Sequence, residues 1–90
     1  MKNSGKTFDI IYAKGVKKDL KNISKSDLQR IKKAIEKLRN FPDLSNVRHL
    51  TAHPLADFRL RVGEYRVLFD VKFSEEIIIV LKIGHRKGVY

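Results

Sequence analysis

From Lys6 to Tyr12 the chain reads "KTFDIIY", with apolar Phe8 and Ile10 two apart, the period of a strand. The spacing then changes. Val16, Leu20 and Ile23 recur at helical intervals, with Lys14, Lys17, Lys18 and Lys21 on the remaining faces. Ser24 and Asp27 have capping-box spacing, so a second helix starts there, carrying the apolar stripe Leu28, Ile31, Ile35, Leu38. Pro42 ends it, because the residue before a proline avoids the helical region. Residues 43–56 read as a connection with a short strand at Val47–Leu50. Three strands follow at 57–62, 65–73 and 76–83, and their links are too short for helical crossovers. The order β-α-α-β-β-β predicts an α+β fold, with two N-terminal helices packed on one face of an antiparallel sheet.

The hairpin "DFRLRVGEYRVLF", residues 57–69, has the sharpest pattern. Gly63-Glu64 suits a two-residue turn of type II′, with glycine at its first central position. That register sets Val62 against Tyr65, Arg61 against Arg66 and Leu60 against Val67. Arg59, Arg61 and Arg66 then share one face, and Phe58, Leu60, Val62, Tyr65, Val67 and Phe69 share the other. A slip of one residue would drive arginines into the core, so the register is strongly specified. Arg61 opposite Arg66 is a like-charge pair, which works against the hairpin's stability. Such conflicts gather at functional sites. The competing reading is that Asp57, Glu64 or Asp70 neutralises the cluster.

Charge sharpens this picture. The 90 residues carry a formal net charge of +10 and a pI near 10.1, which favours polyanionic partners. Residues 1–45 hold 12 of the 20 basic side chains, mostly lysines, as a solvated helix surface would. Most of the arginines fall in the second half, and arginine's planar fork suits phosphate. The tail "KIGHRKGVY" adds His85, Arg86, Lys87 and Tyr90, whose ring can stack on a base and whose phenol can move a proton.

Other chemistry is sparse. There is no cysteine, hence neither disulfide nor thiolate metal site. His49 and His53 sit four apart in a loop without a clear third ligand, and no Gly-rich phosphate loop is present. The longest apolar run, "IIIVL" at 77–81, is far short of the roughly 18 residues that suggest a membrane span. The expectation is one domain over residues 1–90, cytoplasmic, with no membrane partner, metal or cofactor.

The element order, the hairpin "FRLRVGEYRVLF" and the closing "GHRKGVY" resemble the RelE toxins of the RelE/ParE superfamily. The specific part is the spacing R-x-R-x-x-x-x-R followed by R-x-x-x-Y. The resemblance implies a metal-independent endoribonuclease that enters the ribosomal A site and cuts mRNA. The substrate's own 2′-hydroxyl attacks the adjacent phosphate and leaves a 2′,3′-cyclic phosphate. It also implies a cognate acidic, RelB-like antitoxin. Carried over by position, Arg61, Arg66, Arg86 and Tyr90 are the expected catalytic residues. Arg59, His85 and Lys87 are expected to grip RNA. Well-known members have lysines where Arg59 and Arg61 stand. Arginine does not give up its proton in proteins, so Arg61 would stabilise charge, leaving the proton step to His85 or Tyr90. Two other readings stay open: a ParE-like inhibitor of DNA gyrase without nuclease activity, and a basic binding module that catalyses nothing.

Overall fold

Ser24 caps a helix: its Oγ accepts the Asp27 N–H at 3.3 Å in the computed structural model, which describes residues 7–42 and 44–87. The Asp27 carboxylate does not close the box. It takes Arg30 Nη2 at 3.0 Å and the Tyr65 hydroxyl at 3.4 Å instead, tying the helix to the sheet. The capped helix, α2, spans Lys25–Glu36 and follows a short α1, Val16–Lys21. It tightens into a 3-10 turn at Lys37–Asn40 before Pro42. Ile31, Ile35 and Leu38 from its stripe are fully buried.

The strands are β1, Asp9–Tyr12; β2, Val47–His49; β3, Phe58–Val62; β4, Tyr65–Lys72; and β5, Ile77–His85. They form one sheet in the order β1-β5-β4-β3-β2. Three of its pairings are antiparallel as expected, but β1 runs parallel to β5, Asp9 beside Ile77 and Tyr12 beside Val80. The sheet is therefore mixed. Within the run "IIIVL", Ile78 and Val80 are buried against the helices, and Ile77, Ile79 and Leu81 are half-buried.

The helices cover one face. Against them lie Leu60, Val67, Phe69, Ile78 and Val80, all fully buried. A register shift between Leu68 and Phe69 leaves Leu81 as an extra residue on β5. It lets Val80 and Ile83 both face the helices while Leu81 turns to the other side. There it joins Leu50, Ala56 and a fully buried Leu68 in a second, small cluster. The connection between β2 and β3 thus folds over part of the outer face and leaves the rest open. No helix among the described residues is long and apolar enough to cross a membrane.

Candidate functional site

The open part of the outer face is lined with arginines. The hairpin has the register its alternation dictates, with Arg61 opposite Arg66 and Val62 opposite Tyr65. Gly63 supplies the positive φ, +56°, that a side chain would resist. Arg61 spends its backbone groups on β2: its N–H donates to Asn46 O at 3.0 Å and its carbonyl accepts from Asn46 Nδ2 at 3.0 Å. Arg61 and Arg66 are therefore a non-hydrogen-bonded cross-strand pair, the kind whose side chains approach most closely. Arg59 lies two residues along on the same side.

The structure adds Arg48, which the sequence reading left out. It sits on β2 directly opposite Arg59. Ser45, Asn46, Arg48, Arg59 and Arg61 line a polar recess of about 170 Å³. The signal was present: once apolar Val47 is set against Leu60, alternation puts Arg48 with the other arginines.

Among the described residues, the nearby acids Asp57, Asp70 and Glu64 make contacts other than with Arg48, Arg61 or Arg66. Asp70 accepts the Asp57 N–H at 2.6 Å and so fixes the entry to β3. Glu64 goes to Arg86. Among the described residues no carboxylate pairs with Arg48, Arg61 or Arg66. Arg66 folds back over the turn, its Nη1 donating to Gly63 O at 3.0 Å and Tyr65 O at 2.9 Å. Its Nε is buried and finds no acceptor among the described residues. A buried donor left unpaired costs about 1–3 kcal/mol.

The tail divides at the end of β5. Gly84 faces Arg66 and His85 faces Tyr65. Alternation from Gly84 sets Arg86 on the arginine side, where its Nε meets Glu64 Oε1 at 3.0 Å and its N–H donates to Glu64 O at 2.7 Å. His85 turns to the helix side instead. Its ring lies edge-on to Tyr65, centroids 5.8 Å apart, beside a recess also lined by Asp19, Asn22 and Ile23. Burial, then the Asp27 carboxylate, holds the Tyr65 phenol above its ordinary value. Lys87 is exposed, and its N–H donates to His85 Nδ1 at 3.3 Å. So Arg59, Arg61 and Arg66 share the outer face, Arg86 lies beside it past the end of β5, tied to Glu64, and His85 sits against Tyr65 on the helix side. Tyr90 lies outside the described residues.

His49 and His53 are placed otherwise than as a metal pair. His49 packs edge-on to Phe58, and His53 Nδ1 accepts the Leu55 N–H at 3.1 Å. Among the described residues no three His, Cys, Asp or Glu side chains converge. What the outer face offers is a cluster of fixed positive charges, suited to an oligoanion and to charge gathering on a phosphate.

Residues 10–90 match the family described as the ParE toxin of the type II toxin–antitoxin system, parDE. The RelE1 protein of Methanocaldococcus jannaschii is 34% identical over 86 residues, covering 92% of this chain and 94% of that protein. A chain of the archaeal RelE–RelB complex of Pyrococcus horikoshii superposes with a TM-score of 0.74 at 27% identity, covering 93% of this chain and 99% of that one. A chain of the RelB–RelE antitoxin–toxin complex of Methanococcus jannaschii gives 0.71 at 30% identity, covering 89% and 94%.

Proposed function

The chain belongs to the RelE/ParE superfamily of type II toxins as a RelE-type toxin, and on that footing we propose that it cleaves mRNA in the ribosomal A site. The observation that carries the reading is the directly opposed pair Arg61–Arg66, with no described carboxylate to offset it and one buried Arg66 donor without an acceptor among the described residues. A site that keeps such repulsion in the free protein is suited to a dianionic or phosphorane-like partner.

In the proposed step the 2′-oxygen bonds to phosphorus, the P–O5′ bond breaks, and a 2′,3′-cyclic phosphate and a 5′-hydroxyl result. The 2′-hydroxyl proton leaves to a base, and a proton reaches O5′. Arg66 and Arg86 hold the non-bridging oxygens, and Arg61 stabilises the charge that accumulates. Arg59 and Arg48 grip flanking phosphates. Tyr90 stacks on a base or moves a proton. Lys87 adds charge at the rim. His85, held with Tyr65, reaches the reaction only through a change at the tail. The cytoplasm, where ribosomes are, is the expected compartment. The partner that silences the toxin is an acidic, RelB-like antitoxin. Both archaeal neighbours above are in complex with RelB, and a net charge of +10 calls for an acidic cover.

The second reading, inhibition of DNA gyrase, is favoured by the parDE description of the matching family. Brief induction in cells separates the two. Mapping of 5′ ends should reveal new cuts confined to translated mRNA, with plasmid supercoiling unchanged. Relaxed plasmids with intact mRNA would overturn the nuclease reading and support the second.

A further inference from the structure

We propose that Glu64 is a positioning residue: it sets the guanidinium of Arg86 toward the reacting phosphate. The proposal rests on the nuclease reading above and adds to it a residue that contacts no substrate. Glu64 sits in the hairpin turn, directly before Tyr65, and on the other side of it lies the end of β5. Two contacts join it to Arg86. The backbone N–H of Arg86 donates to Glu64 O at 2.7 Å, which extends the β4–β5 ladder one residue past His85. The side-chain Nε lies 3.0 Å from Glu64 Oε1.

The choice of nitrogen matters. The carboxylate pairs with the Nε edge of the fork and leaves the two terminal nitrogens for another anion. None of the described residues takes those nitrogens. A competitor of phosphate would instead cover the terminal edge. The pair is also half exposed, 51% for Arg86 and 59% for Glu64, so it adds little to stability. Its consequence is orientation of an otherwise free side chain just beyond the last strand.

His85 lies near Glu64 on the opposite side, beyond hydrogen-bond reach. His85 Nδ1 accepts the Lys87 N–H, so the ring's proton belongs on Nε2, which lies 3.8 Å from the same Oε1. The Glu64 carboxylate thus pairs with Arg86 and stands only near His85, the residue before it. The hairpin turn and the tail are held together at this point.

The test uses the full chain and two readouts. The first is the Arg86 Nε–H resonance by ¹⁵N NMR, identified by its loss in Arg86→Lys. It should be sharp in the wild type and shifted and exchange-broadened in Glu64→Ala. An unchanged resonance in Glu64→Ala overturns the clamp whatever the protein's activity. The second is cleavage of mRNA on programmed ribosomes. Glu64→Ala should lower kcat by up to about 10²-fold, the scale of a misplaced catalytic group, with little change in KM. Glu64→Asp, which keeps a carboxylate to pair with Arg86, should recover part of the rate, and Glu64→Gln, which loses the charge, should recover less. In an Arg86→Ala background Glu64→Ala should cost nothing further. Full activity of Glu64→Ala, or losses that multiply in the double variant, would overturn the positioning role. A wild type that cuts no ribosome-bound mRNA would instead sink the nuclease reading, with the resonance still deciding whether Glu64 orients Arg86.

Discussion

Replacing Arg66 by methionine should abolish toxicity and leave the fold nearly as stable as before. Met keeps an unbranched stem over the sheet and removes the guanidinium. Two gains follow. The like-charge pair with Arg61 disappears, worth about 0.2–1 kcal/mol. The buried, unpartnered Nε also goes, worth about 1–3 kcal/mol. Against them stand two Nη1 hydrogen bonds to Gly63 O and Tyr65 O, at 3.0 and 2.9 Å. Bonds from a charged donor are worth about 1.5–3 kcal/mol each, and these share one nitrogen at a half-exposed site, so the lower end applies. The gain, taken at mid-range, is about 2.6 kcal/mol and the loss about 3 kcal/mol, so the two cancel to within about 1 kcal/mol. For a domain of 90 residues that is a Tm change of no more than about 4–8 °C. Removing a charge-stabilising donor should meanwhile cost about 10²–10³ in rate. Leu60→Ala is the contrast: Leu60 is fully buried, and its truncation should cost about 2–5 kcal/mol. Thermal unfolding by circular dichroism, with cleavage measured on the same preparations, decides the matter. A fall in Tm of more than about 15 °C for Arg66→Met, or cleavage at the wild-type rate, would refute the reasoning.

Three further outcomes are expected. Ser24→Ala removes the cap on Asp27 N–H and should lower stability by about 1 kcal/mol in chemical denaturation, leaving the slope unchanged. The hydrogen bond from Arg39 lowers the Glu36 pKa below its ordinary 4.5, so the pair's stabilisation is present above that value and is lost as pH falls through the lower folded value; Glu36→Gln should flatten the acid limb of stability against pH, and an unaltered limb would exclude the pair as its source. Tyr90→Phe keeps a stacking ring without the hydroxyl: an active variant beside a dead Tyr90→Ala assigns stacking, and an inactive one assigns the phenol to the chemistry.

The hairpin was legible because two constraints agree there. Alternation fixes which residues share a face, and Gly63-Glu64 fixes how the strands meet, so Arg59, Arg61 and Arg66 fall together from the sequence alone. The parallel contact of β1 with β5 was not legible. It joins strands at opposite ends of the chain, and no turn between them records it. Nor does any local pattern mark Leu81 as an extra residue, since "IIIVL" is apolar throughout. Arg48 escaped because a three-residue strand shows too little alternation to assert its own register. As neighbours in sequence, His85 and Arg86 read as one group. Ending the last strand at 83 concealed that the ladder continues through His85, where alternation turns the two apart. The destination of Glu64 was likewise hidden, because its partner is set by that same continuation.

The most direct test of the central claim is a reconstituted one. Purified protein is added to ribosomes programmed with a defined mRNA and an empty A site, and the new ends are analysed chemically. The account predicts a single cut within the A-site codon, a 2′,3′-cyclic phosphate on the upstream fragment and a 5′-hydroxyl on the downstream one, with the product lost in Arg66→Ala and Arg86→Ala. Intact mRNA with the wild-type protein, or the same cut made undiminished by both arginine variants, would contradict it.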